Sequence, residues 1–384
     1  MALKILKTKQ GFLAEDDSTV QSLLKGFFGE PYQGKKNKLV LQPEEVLYLM
    51  DVRNAECTEN GVKKTFNEIA LPFVKEKKFL AKYFCYRDWR DRGIIAVKIT
   101  KNENYGRNPI IKYPSQETHY AKTNQTALFF QDDLMSIIDS EEAKDLYENH
   151  WFGQWGTYKA KKHGSFLKLD AFETIFLGKH CSLKTNYSID AIQKKARSRR
   201  KEFNQLYDVY EDLRLRGFVV KTGFKFGTHF RLYFPGASPS REGDEWMHSK
   251  HVIHVFPRES RLLISEWSRA IRVAHGVKKT FILAIPGKKR VEKTSLDYLL
   301  YHREKGSPET PSTGKPKYVM LALSEEEEIG GAELAAAITE ATHLGLDLVI
   351  AICDRETSVT YYRIKRIDLP KSRFEYYEIE WEQP

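Results

Sequence analysis

The chain contains much of its own pattern twice, and this limits the folds open to it more than any single motif does. "HVIHVFPRESRLLISEWSRAIRVAHGVKKTFILAI" (His251 to Ile285) aligns without gaps with "YVMLALSEEEEIGGAELAAAITEATHLGLDLVIAI" (Tyr318 to Ile352) at an offset of 67 residues. Each copy reads strand, helix, strand. Apolar residues recur at helical spacing over Ser265 to Val273 and Ala332 to Ala341, and the short runs FILAI and LVIAI suit buried strands. A second pair, "CYRDWRDRGIIAVKI" (Cys85 to Ile99) and "VYEDLRLRGFVVKTG" (Val209 to Gly223), repeats at an offset of 124 with Tyr, Asp, Arg, Arg and Gly in register. Upstream, "LLKGFFGEPYQG" matches "LYENHWFGQWG" in pattern, and a helix with apolar periodicity follows each.

These repeats predict an α+β fold of two N-terminal-type helix and strand units plus two C-terminal-type α/β units with a mixed sheet. The expected divisions are a first unit over 1–100, a linker over 101–126 and a second N-terminal-type unit over 127–202. A C-terminal-type unit over 203–305, a linker over 306–317 and a second C-terminal-type unit over 318–384 follow. Both linkers are polar and broken by Gly and Pro.

A fold needs its apolar face, whereas only an active site needs particular polar groups, so differences between copies are informative. The C-terminal-type units agree at apolar positions and differ at polar ones: His248 corresponds to Lys315, Arg272 to Thr339 and Lys279 to Leu346. The segment from Phe226 to Phe256 places two strand-like runs around a loop rich in Pro, Ser, Gly and charge, with Tyr233 at one rim and His248 at the other. Tyr, His and Lys together suit attack of a ribose 2'-hydroxyl on its own 3'-phosphate. That reaction needs a base, an acid for the leaving 5'-oxygen and a cation for charge growing on phosphorus. Histidine is available in both protonation states near neutrality. Tyrosine is a poor base unless a cation stabilises its phenolate, and Lys279 is a candidate for that as well.

The residues resemble the archaeal tRNA-splicing endonucleases. The resemblance covers "YEDLRLRGFVVKTGFKFGTHFRLYF", "HSKHVIHVF" and "SEWSRAIRVAHGVKKTFILAI", and "VTYYRIKRI" resembles that family's last strand. It implies a catalytic triad of Tyr233, His248 and Lys279, in a 203–305 catalytic domain beside a degenerate structural copy. It also implies cleavage of precursor tRNA at bulge-helix-bulge folds, leaving 2',3'-cyclic phosphate and 5'-hydroxyl ends without a metal or other cofactor. The unit order resembles the family's fused three-unit form, which implies a homodimer. Arg272 and Arg303 match positions that sandwich a bulged base, and Asp354 and Glu356 match an acidic loop that docks on a neighbouring unit.

Composition fits this class. With 62 Lys plus Arg against 52 Asp plus Glu, the formal charge is +10, which favours a polyanionic partner. "TYKAKKHGSF" carries Lys159, Lys161 and Lys162 beside aromatic residues; it reads as a solvated loop or as a phosphate contact that weakens with salt. Cys57, Cys85, Cys181 and Cys353 are scattered, so neither a zinc knuckle nor a disulfide framework is expected, and a cytoplasmic location fits. No run approaches a membrane span or a signal peptide.

Several features have plainer readings. His248, His251 and His254 alternate faces along a strand and extend over about 20 Å, too far to hold one ion. "GEPYQGKK" nearly spells a nucleotide loop, but Lys36 stands where a hydroxyl must hold Mg²⁺. "SEEEE" reads as an exposed turn. Two rivals remain at the level of sequence: a noncatalytic RNA-binding subunit of an endonuclease assembly, and a metal-dependent DNA nuclease, for which no convincing acidic pair with E-x-K is found.

Overall fold

The structure, a computed structural model, describes residues 2–99, 104–107, 110–156, 164–239, 248–287, 294–304 and 306–384. The Lys159, Lys161 and Lys162 cluster lies outside the described residues. The fold is α+β, and no helix among the described residues is long and apolar enough to cross a membrane.

The first unit carries α1 (Pro43–Val52) and α2 (Phe79–Asp91), and the second carries α3 (Ala171–Cys181) and α4 (Phe203–Leu215). In each, a small sheet has its parallel strand between the two helices: Lys4–Thr8 pairs antiparallel with Gly11–Ala14 and parallel with Glu56–Glu59, as Thr126–Phe130 does with Met135–Ile138 and Lys184–Thr185. A carboxylate in the first helical turn ties helix to sheet in both. Glu45 accepts from the backbone N–H of Gln42 (2.8 Å) and Gly29 (3.0 Å), and Glu173 accepts from Asp170 (3.1 Å) and Gly153 (2.8 Å). These contacts satisfy donors that a helix start otherwise leaves orphaned.

The polar residues shared at offset 124 are structural. Asp88 on α2 accepts the Tyr361 hydroxyl at 2.7 Å, and Asp212 on α4 accepts that of Tyr376 at 2.9 Å. Arg90 donates to the Gly26 carbonyl (2.6 Å) and Arg214 to that of His150 (2.8 Å). Gly93 and Gly217 turn each helix into a strand at φ of +74° and +84°, a conformation that glycine adopts without steric cost.

Those strands are β1 (Ala96–Lys98) and β2 (Val219–Thr222), the two rims of the largest sheet. Between them lie β3 (Phe230–Tyr233), β4 (His251–Val255), β5 (Thr280–Ile285) and β6 (Tyr298–Leu300). The remaining strands are β7 (Tyr318–Ser324), β8 (Asp347–Cys353), β9 (Val359–Asp368) and β10 (Glu375–Glu382). Their spatial order is β2-β3-β4-β5-β10-β9-β8-β7-β6-β1. Helix α5 (Ile264–Gly276) links β4 to β5 and α6 (Gly331–His343) links β7 to β8, so both β-α-β units are parallel crossovers.

The sheet has an internal two-fold. At its centre Ile364 of β9 faces Ile379 of β10, with Arg363 opposite Glu380 and Lys365 opposite Glu378. On the helix side, Leu262 pairs with Ile329, its own repeat equivalent. Three cores follow this symmetry. One joins the second N-terminal-type unit to β3, β4 and β5; another joins the first unit to β6, β7, β8 and β9; the third lies between α5 and α6.

Two sequence expectations differ from this arrangement. Tyr298–Leu300, read as the tail of a 203–305 unit, pairs with β7 and β1 in the other half. Residues of the 101–126 segment are packed rather than linker-like: Ile111–Lys112 adds to β9, and the Tyr120 hydroxyl donates to the Arg214 carbonyl at 2.9 Å. The contacts with β1, β9 and Arg214 join residues far apart in the chain, which local pattern does not report.

Candidate functional site

Register brings the three candidate residues to one end of the sheet. Strand β3 runs antiparallel to β4, with Leu232 opposite His251, and β4 runs parallel to β5, with His251 opposite Thr280. One step outward lie Tyr233, Lys250 and Lys279, and the Thr280 N–H donates to the Lys250 carbonyl at 2.8 Å. His248 is exposed two residues before Lys250. Helix α5 delivers Lys279 through a tight turn: Lys278 takes φ of +54° and the Lys279 N–H donates back to the Ala274 carbonyl at 3.0 Å. Lys278 is exposed, whereas the Lys279 ammonium donates to the Ser249 carbonyl and to Ser249 Oγ (3.3 Å), beside His248.

Tyr233 is 5% exposed, and its ring lies 4.7 Å from that of Trp151, which the second N-terminal-type unit supplies. Trp151 sits at φ of +48°, as its counterpart Phe27 does at +56°, a costly conformation for a bulky residue. Arg231 Nη1 lies 3.4 Å from the Tyr233 hydroxyl, while its Nε donates to the Thr222 carbonyl at 2.9 Å. The Lys279 ammonium also stands 4.7 Å from the centre of the Phe226 ring. Burial lowers the Lys279 pKa, and the Arg231 charge lowers it further. Burial likewise pushes His251 down to about 4, with help from Lys250 and Lys279. Among the described residues no cluster of His, Cys, Asp or Glu has the arrangement of a metal site.

The other sequence candidates lie elsewhere. Arg272 is exposed on α5, near enough to Tyr362 to affect its hydroxyl. Arg303 follows β6 in the opposite half, seven strands away from β3, which is roughly 30 Å, and donates to the Arg92 carbonyl. Within one chain it does not meet the triad. Asp354 and Glu356 form the turn after β8, where the Asp354 carboxylate accepts from the N–H groups of Glu356 and Ser358, both at 2.9 Å. Sequence reasoning passed over Arg231 and Trp151. Arg231 was visible two residues before Tyr233, on the same strand face.

Residues 203–294 match the family described as tRNA intron endonuclease, catalytic C-terminal domain. The chain is 34% identical to a tRNA-splicing endonuclease of Methanococcoides burtonii over 47% of its own length and 50% of that protein's, so it spans half of that relative. It is 35% identical to the tRNA-splicing endonuclease of Methanopyrus kandleri over 38% of this chain and 79% of that one. With that of Methanosarcina barkeri it shares 22% identity over 73% of this chain and 95% of the relative. On the extent of these matches, the chain belongs to the tRNA-splicing endonuclease family.

Proposed function

We propose that the protein cuts precursor tRNA at intron–exon junctions presented as bulge-helix-bulge folds, with Tyr233 as base, His248 as acid and Lys279 as electrostatic stabiliser. The Tyr233 phenolate takes the proton of the ribose 2'-hydroxyl, and the 2'-oxygen bonds to phosphorus. As the bond from phosphorus to the 5'-oxygen breaks, the His248 imidazolium donates its proton to that oxygen. Lys279 offsets the negative charge that builds on the phosphorane. The products are a 2',3'-cyclic phosphate and a 5'-hydroxyl, and side chains supply every proton transfer, without a metal.

The observation that carries this reading is the meeting of the end of β3 with the starts of β4 and β5, where a phenol, an imidazole and an ammonium share one sheet end. Each chain holds one such site, and two chains form a homodimer with two. The Asp354 and Glu356 turn is the acidic element that docks on the partner.

The test incubates purified protein with a bulge-helix-bulge RNA in EDTA and identifies the ends. Cyclic phosphate and 5'-hydroxyl in chelator support the reading; dependence on Mg²⁺, or binding without cleavage, overturns it. His248→Ala loses cleavage and keeps RNA binding if the imidazole is the acid. Equal loss of both assigns His248 to recognition or folding.

A further inference from the structure

A phenol is a poor base at neutral pH, so a base role for Tyr233 requires a cation that favours its ionised form. Lys279 stands at the same sheet end, but its contacts are committed elsewhere: the ammonium donates to the Ser249 carbonyl and hydroxyl and stands against the Phe226 ring. Among the described residues, the Arg231 guanidinium stands within reach of the phenol. Arg231 and Tyr233 are two apart on β3 and so share a face. The Thr222 carbonyl on the neighbouring rim strand fixes Nε at 2.9 Å, which aims Nη1 at the Tyr233 hydroxyl, 3.4 Å away. Trp151 packs against the phenol ring, and burial of Tyr233 strengthens any charge beside it.

The other half of the sheet serves as an internal control. Leu232 opposes His251, and Leu300 opposes Tyr318, the repeat equivalent of His251. Tyr301 therefore stands where Tyr233 stands, and Leu299 stands where Arg231 does. The silent half keeps the tyrosine, yet it has Leu299, Lys315 and Leu346 in place of the arginine, histidine and lysine. Arg231 disappears together with the histidine and the lysine, while the residues shared for folding remain.

We propose that Arg231 is a positioning residue for the reaction, which holds the Tyr233 hydroxyl in place and stabilises its phenolate. This rests on Tyr233 being the base, and the experiment separates the two. Single-turnover cleavage of a bulge-helix-bulge RNA is measured from pH 5.5 to 10 for the wild type and for Arg231→Leu, Arg231→Lys, Tyr233→Phe and the Arg231→Leu, Tyr233→Phe double variant. When the acid titrates below the base, the rate is flat between the two and falls above the phenol's pKa. A phenol raised by about one unit lowers that plateau about tenfold and moves the alkaline fall about one unit higher.

Arg231→Leu is expected to show both effects, so that its rate converges with the wild type at high pH. Arg231→Lys is expected to recover part of the plateau, and Arg231→Leu is expected to add no loss on Tyr233→Phe. Melting temperature and RNA binding, measured alongside, report folding. A loss by the same factor at every pH, or one that adds fully to Tyr233→Phe, overturns the role of Arg231 while leaving Tyr233 as base. Tyr233→Phe cleaving like the wild type overturns both.

Discussion

The two halves of the large sheet share a backbone plan and differ in what lines one end of it. The half that matches the catalytic-domain family, proposed above as the active one, presents Trp151, Arg231 and Tyr233 beside Lys279; the other, proposed as silent, presents a cleft of about 400 Å³ lined in part by Phe27, Leu299, Tyr301 and Pro311. Repeated packing contacts, such as Asp88 with Tyr361 and Asp212 with Tyr376, survive in both. Residues that hold the fold are constrained twice over, whereas those that do the chemistry are needed once, and comparing the copies separates the two kinds.

The largest effect should come from making the active half resemble the silent one. His248→Lys and Lys279→Leu should each reduce single-turnover cleavage about 10²- to 10⁴-fold with RNA binding retained, as measured by gel assay. Ile379→Ala attacks the centre of the two-fold, where the side chain is fully buried, and should cost about 2 to 5 kcal/mol in denaturant unfolding. Ile364→Ala should cost a similar amount, and a large gap between them would break the equivalence.

Asp212→Asn should cost about 1 to 3 kcal/mol, because the buried carboxylate accepts from Ser372, the Arg373 N–H and Tyr376. Asp88→Asn, at a more exposed site, should cost less by the same measurement. The smallest effect concerns pH. Burial holds His229 down to about 3 and His254 down to about 4, so the unfolded chain binds more protons below about 6.5. Stability is therefore fully present above 6.5 and is lost as pH falls toward 4. The silent half has Leu321 at the position of His254, and His254→Leu should flatten the fall in melting temperature over that window.

Much of this was legible in the sequence because apolar periodicity and glycine turns are local signals. The helices around Trp267 and Ile338, the strands FILAI and LVIAI and the doubled helix-Gly-strand step all follow from such patterns. What was not legible is pairing across long separations. The first unit packs against β6 to β9, more than 200 residues downstream, and β10 rather than a neighbour in sequence flanks β5. At the site, the motif exposed Tyr233, His248 and Lys279, but nothing local sets Arg231 apart from other strand arginines; its contact with the phenol does. Arg303 matched by motif and lies in the other half, because motif position carries no information about which half a strand joins.

The placement of β10 also sets an order of events during synthesis. Strand β5 ends at Ile285 and its outer neighbour begins at Glu375, about ninety residues later. At roughly 5 to 20 residues per second the ribosome needs on the order of 5 to 20 s to make the intervening chain. Throughout that interval the nascent active half presents an apolar strand with bare N–H and C=O groups to the cell, the kind of template on which chains aggregate. That edge is closed only by β10, the last strand of the chain, so the half that carries β5 is completed only after the other half has been translated.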